Sequence, residues 1–282
     1  MSLRARSDQA EQRPRRPERA GSLFGLRRNL PKNAETTVAI ATFAGVFALW
    51  CLLSYGGLAS SVFLPSPTKV LAAFQRVLKD NVVWQDTWIS NYRVLMGFLA
   101  AALISIPLGL LAGNLKFFEA MILPFVGFVR YMPVPAFIPL IMVYVGIGES
   151  AKIMLIFLGT AVQMIVMIAD VTRQVPNDLL KVGMTLGASP GELFRRVIWP
   201  GSLPGIMEVL RVNLGWAWTY LIVAELVASN QGLGFRILKA QRFLQTDTIF
   251  LYIFIIGLLG LMFDLLFRYA ERRMFAWNQE AL

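Results

Sequence analysis

No histidine occurs in this chain of 282 residues, and cysteine occurs once, at Cys51. The first absence excludes imidazole metal ligation and Ser-His or Cys-His nucleophilic catalysis. The second excludes an internal disulfide framework and any multi-cysteine metal site; Cys51 reads as a small apolar residue in a helix. Charged residues make up only 16% of the chain against 56% hydrophobic, and the mean hydropathy is +0.59. That balance excludes an ordinary soluble domain and leaves one polytopic helical domain. No G-x-x-x-x-G-K-[ST] stretch is present, so the chain has no such loop to cradle nucleotide phosphates. No carboxylate pair or Ser-Lys dyad stands out in the apolar runs, which disfavours an intramembrane enzyme.

What remains is a series of apolar segments with basic ends. The net charge of +10 resides at membrane ends and in the N-terminal tail rather than on an interleaved basic-aromatic face, so membrane topology explains it and nucleic acid does not. Residues 1–35, rich in Arg, Pro, Glu and Gln, form a disordered basic tail rather than a cleaved signal. Residues 36–270 form the membrane domain, and 271–282 a second tail.

Six spans are expected, near 36–55, 91–113, 117–147, 153–169, 207–226 and 248–267. Thr68 opens a surface amphipathic helix reaching Leu78. The small residues Ala100, Ala101, Ala102, Gly109 and Gly113 suit close helix packing, and Pro107 suggests a kink. The third span is broken by Pro124, Pro133, Pro135 and Pro139 and cannot be a straight helix. Seventeen lysines and arginines flank one side of this arrangement and seven the other, which places both termini in the cytoplasm.

Between the fourth and fifth spans lies a polar hairpin, residues 176–200. Gly187 can take the left-handed conformation that ends one helix, and Ser189, Pro190 and Glu192 start the next, with Ser189 and Glu192 spaced as a capping box. Pro200 and Pro204 predict that this second helix stops near Trp199, leaving a peg of roughly 13 Å, too short to cross lipid. Charges inside spans need an explanation. For Asp170, Arg211 and Asp264, near cytoplasmic ends, snorkelling suffices.

The hairpin, with Gly187 and then Val197, Ile198, Trp199 and Pro200, resembles the EAA-type loop of membrane subunits of ABC importers. The family's Glu-Ala-Ala start falls on Lys181, Val182 and Gly183, a divergence. The segments FLPSP (63–67), GFLAAALISIPLGLLAG (97–113), PVPAFIPLIMVYVGIGESAKI (133–153), LGASP (186–190), AWTYLIVAELVASNQGLG (217–234) and IIGLLGLMFDLLFRYAERR (255–273) resemble permeases for nitrate, sulfonate, taurine and bicarbonate, in the family's order.

The resemblance implies an all-α polytopic membrane protein with the type I ABC importer fold, lying in a bacterial inner membrane. It implies two partner ATPase subunits that bind ATP and magnesium, so this chain carries no cofactor. A second permease copy or a paralogue is also implied, together with a periplasmic or lipid-anchored substrate-binding protein. Gly187, Ala188, Ser189, Pro190, Glu192, Leu193, Phe194 and Arg195 become the ATPase-docking coupling helix. The translocation pathway would hold a small oxyanion or sulfonate, with Arg130, Pro133, Pro135, Trp218 and Glu225 as its candidates. A guanidinium facing a water-filled cavity lowers the cost of moving an anion. For Arg130 the competing reading is a structural pairing with helix carbonyls or with Glu225. Trp216, Trp218 and Tyr220 line a cavity or serve as packing anchors. Glu225 belongs to an external gate or to the surface that receives the binding protein. Two alternatives stand beside this reading: a membrane scaffold recruiting soluble partners, or a permease for another substrate such as an aromatic carboxylate or a vitamin precursor.

Overall fold

The computed structural model describes residues 32–79 and 81–275, and among them every regular element is helical. The first helix, α1 (Lys32–Tyr55), belongs to a unit ending at Gly56, and the residues from Gly57 onward form a second unit. α1 starts at Lys32 rather than Thr36, so the last residues of the expected tail are helical. The rest of that tail lies outside the described residues.

The second unit opens with α2 (Pro67–Lys79), an amphipathic helix, and α3 (Val82–Asn114), which keeps Pro107 inside one continuous helix. α4 (Lys116–Val129), a 3₁₀ turn (Val134–Phe137) and α5 (Ile138–Val145) come next. α6 (Glu149–Arg173) and α7 (Asn177–Thr185) lead into the short α8 (Pro190–Leu193) and a π turn (Phe194–Ile198). α9 (Trp199–Ala228), α10 (Leu233–Arg242) and α11 (Thr246–Met274) complete the chain.

By length and composition α1, α3, α6 and α11 can each cross a membrane, and α4 with α5 makes a fifth crossing or a re-entrant loop, bent by 87° at the proline-rich break. A straight third helix is therefore absent, as the prolines require. α9, 30 residues long, falls outside that count; Glu208, Arg211, Asn213 and Glu225 dilute its apolar sequence.

α6 is the central post, packed on α3 along one side and α9 along another. Glycines make the approach close: a Cβ at Gly97 or Gly109 would collide with Ile156 or Ile168 of α6, and one at Gly159 with the Tyr220 ring of α9. Missing side chains here let helix backbones approach, the device that packs helices where no hydrophobic effect separates protein from lipid. Val94, Phe98, Ala101, Ile156, Met164, Ile168 and Leu221 fill the core between these helices. Leu258, Leu261, Met262, Leu265 and Leu266 of α11 remain exposed, the pattern of a lipid-facing surface.

Arg211 corrects the snorkelling expectation. Its guanidinium pairs with Glu208 at 2.7 Å, Asp264 at 3.4 Å and Glu271 at 3.9 Å, so it ties α9 to α11 while its side chain stays 20% exposed.

Candidate functional site

Three arrangements stand out: the hairpin at one end of the bundle, a buried charge cluster at the other, and a cavity between them.

In the hairpin, Gly187 has φ +81°. Its N–H donates to the Met184 carbonyl at 2.9 Å while the Ala188 N–H donates to that of Gly183 at 3.0 Å. The two bonds are the Schellman pair that closes a helix C-terminus. Ser189 then caps α8: its hydroxyl accepts from the Glu192 N–H at 3.4 Å, and the Glu192 carboxylate accepts from the Ser189 N–H at 3.0 Å. Leu193 turns inward, only 6% exposed. It seats over Gly183, where a Cβ would collide with Cδ2 of Leu193. The glycine that departs from the family's Glu-Ala-Ala start thus makes room for that leucine.

Gly187, Ser189, Pro190, Glu192, Phe194 and Arg195 are exposed and Ala188 is half-buried. Leu179, Val182, Met184 and Leu186 add an exposed apolar rim, which the reading of charges and caps passed over.

The peg does not stop at Trp199 as expected. Phe194–Ile198 form a π turn, and the chain runs straight into α9 with Pro200 in its first turn. The Trp199 N–H bonds back to the Phe194 carbonyl. The widened turn shifts the carbonyls that a proline ring would otherwise strike, and the missing N–H of Pro200 falls where the bonding register changes.

The Ser189 N–H, then its hydroxyl and Arg196, hold the Glu192 carboxyl below the usual carboxylate range. With the folded pKa below the unfolded one, the cap's contribution is complete above the unfolded pKa and is lost as pH falls through the folded value. Amide exchange over residues 189–192 should therefore lose protection on acidification, and Glu192→Gln, which still caps but does not titrate, should remove the acid step. A flat wild-type profile would count against the capping box as the hairpin's fastener.

At the opposite end, Asp86, Ser90 and Arg93 share one face of α3 and are fully buried. Arg93 holds Glu149 of α6 through two bonds, at 2.5 and 2.7 Å, and Glu225 of α9 at 2.6 Å. It also donates to the Gln231 carbonyl at 2.9 Å. Lys152 adds a 2.8 Å bond to Glu149. The start of α10 is caught in the same cluster. The N–H groups of Gly232, Leu233 and Gly234 donate to Asp86, Ser90 and Glu225 at 2.7, 3.0 and 2.7 Å, and Arg236 pairs with Asp86 at 2.5 Å.

These are the free donors of a helix N-terminus, satisfied by side chains from α3 and α9. Gly232, at φ +117°, packs so closely on the Glu225 carboxylate that a Cβ would collide with it. Arg93, Lys152 and Arg236 offset Asp86, Glu149 and Glu225, so the cluster is neutral.

Glu225 is thus paired with Arg93, not with Arg130, and it lies off the surface. The cluster escaped the sequence reading because a second span beginning near Asn91 leaves out Asp86 and Ser90. The i, i+4, i+7 spacing of Asp86, Ser90 and Arg93 was the available signal.

The cavity, about 300 Å³, lies where α4 breaks, against the middles of α6 and α9. Arg130 lines it, with Phe137, Gln163, Trp216 and Tyr220 among its neighbours. Pro133 and Pro135 make the bend but do not line the cavity. Trp218 also stands off it, 5% exposed in the core with its ring 6.3 Å from that of Phe263. Trp216, two residues away, supplies the indole instead. Among the described residues no carboxylate pairs with Arg130; its contacts are the Tyr131 hydroxyl at 3.4 Å and the Tyr131 ring at 5.3 Å.

Comparison with known proteins adds to this geometry. Residues 105–276 match the family described as binding-protein-dependent transport system inner membrane component. The chain is 31% identical to the taurine transport system permease protein TauC of Escherichia coli (strain K12), over 89% of this chain and 93% of that one. It is also 31% identical to the bicarbonate transport system permease protein CmpB of Synechocystis sp., over 78% and 82%. Among solved structures it is similar to an amino acid ABC transporter, with TM-score 0.61 and 15% identity over 71% of this chain and 97% of that one. The MetNI methionine ABC transporter in inward-facing conformations gives TM-score 0.57 and 21% identity, over 67% and 95%.

Proposed function

This chain belongs to the family of binding-protein-dependent transport system inner membrane components, and from that premise we propose how it divides the work of an ATP-driven importer. It is the membrane-spanning permease subunit. The hairpin around Gly187 docks on partner ATPase subunits, the cavity at Arg130 belongs to the translocation pathway, and a small oxyanion or sulfonate is the cargo. Two ATPases, a second copy of this chain or a paralogue, and an extracytoplasmic binding protein complete the assembly, with both termini in the cytoplasm of a bacterial inner membrane. ATP hydrolysis is left to the partners.

One observation carries this reading. A polar hairpin closed by a Schellman pair and a capping box presents an apolar rim, and it is covalently and helically continuous with α9, which reaches the cavity at Trp216 and Tyr220. A rigid connector with an exposed apolar edge is suited to receive a push from a bound partner and deliver it to transmembrane helices. The names of the relatives support an anionic cargo, since taurine carries a sulfonate and bicarbonate is an oxyanion.

The test is to purify the complex through this chain, rebuild it in lipid, and measure ATP hydrolysis as single anions and their binding protein are added. A crosslink from Ala188→Cys in a Cys51→Ser background to the hydrolysing subunit is expected. If no ATPase copurifies or crosslinks, the docking assignment is wrong.

A further inference from the structure

We propose that the permease itself selects its cargo, through a half-site at Arg130 that takes an oxyanion head carried on a flat apolar body. The proposal rests on the pathway reading and narrows it.

Depth comes first. Leu158, Gly159, Val162 and Gln163 of α6 line the cavity opposite Arg130, and at 1.5 Å per residue they lie about 14–21 Å from the Glu149 end of that helix. That is the middle of a bilayer core. A guanidinium held there without a carboxylate is costly unless water or a passing anion meets it. Arg93, Lys152 and Arg211, the cations in the membrane-embedded ends of α3, α6 and α9, all have acidic partners. Arg130 is left to interact with a ligand.

Wall chemistry then decides which body the charged head can carry. Trp216, Tyr220 and Phe137 are aromatic, and the remaining wall is apolar apart from Arg130 and Gln163. Trp216 is 51% exposed, so its indole face is available. The Tyr220 ring is laid flat against α6 because Gly159 has no side chain to lift it. Aromatic faces of this kind favour stacked flat groups.

A bare oxyanion such as nitrate or bicarbonate would meet Arg130 and leave most of the space wet, since each water takes only about 30 Å³. Among the described residues no acidic side chain lines the cavity, so a zwitterion such as taurine finds no carboxylate there for its ammonium. An aryl sulfonate or aryl carboxylate uses both the guanidinium and the aromatic wall.

The experiment uses the full complex in lipid nanodiscs, without binding protein, with radiolabelled 4-toluenesulfonate as probe and nitrate and taurine as competitors. Saturable binding is expected, with nitrate and taurine competing at least about tenfold more weakly. Trp216→Ala should weaken the probe by about tenfold while leaving nitrate competition unchanged. Arg130→Gln should abolish saturable probe binding, and Arg130→Lys should restore part of it. Both side chains are exposed, so these variants should fold as wild type does, which the thermal unfolding midpoint checks. Equal competition by nitrate and taurine would overturn the selectivity, as would absence of saturable probe binding. Neither result touches the coupling reading, which stands or falls on the copurifying ATPase and its crosslink to Ala188→Cys.

Discussion

Replacing Arg93 by alanine is expected to destabilise the membrane domain by about 3–5 kcal/mol, the typical cost of stripping one partner from a buried ion pair. Arg93 and Glu225 are both fully buried. Without the guanidinium, Glu225 keeps, among the described residues, the Ser90 hydroxyl and the Gly234 N–H. Glu149 loses two charge-assisted bonds, and the Gln231 carbonyl loses one of its donors and keeps the Ser229 hydroxyl. The Gly232–Gly234 turn should loosen, releasing α10 from α3 and α9.

Thermal unfolding of the purified chain in detergent reads the loss. A double replacement, Arg93→Met with Glu225→Leu, should recover much of it, because the penalty comes from the orphaned charge rather than the absent pair. An Arg93→Ala midpoint equal to wild type would mean that water already reaches Glu225, and the cluster would not anchor α10.

Gly187→Val is expected to leave the membrane domain assembled yet to cut substrate-stimulated ATP hydrolysis and transport by roughly five- to thirty-fold. A β-branched residue forced to φ +81° carries a left-handed backbone penalty of about 1–2 kcal/mol, and a shift of that size moves a two-state population by about that factor. The space around Gly187 is open, so the effect must come from the backbone and not from a clash. Gly187→Asn supplies the control, since asparagine tolerates this conformation better and should retain most coupling. If the valine variant couples as wild type does, the closed Schellman turn is not what holds the hairpin in its docking shape.

Much of this was legible in the sequence, for identifiable reasons. Gly187, Ser189 and Glu192 act through bonds to neighbours within a few residues, so spacing alone gave the turn and the cap. The prolines at 133 and 135 forced a break for equally local reasons.

The misses are all non-local. Pro200 read as a stop because a π turn depends on how the following helix is held, which no dipeptide rule sees. Arg93 and Glu225 are far apart along the chain and meet only once α3 and α9 are packed; Arg130 was the more conspicuous guanidinium, standing beside the prolines. Trp216 and Trp218 are equivalent by composition, and only the rotation of α9 decides which faces the cavity. Leu193 looked like a contact for a partner, but Gly183 gives it a place inside the hairpin.

The unbroken passage from the π turn into α9 sets a gear ratio. A rod clamped at Glu225 and displaced at Trp199 pivots about its clamped end, and each point along it moves in proportion to its distance from the pivot. At 1.5 Å per residue the driven end lies about 39 Å from the pivot, Trp216 about 14 Å and Tyr220 about 8 Å. The two aromatic side chains would therefore travel only about a third and a fifth as far as the hairpin. If a partner docks on the hairpin as proposed, its large excursions would become small adjustments at the cavity wall, and loosening the clamp at Arg93 would change that reduction without altering any residue that lines the cavity.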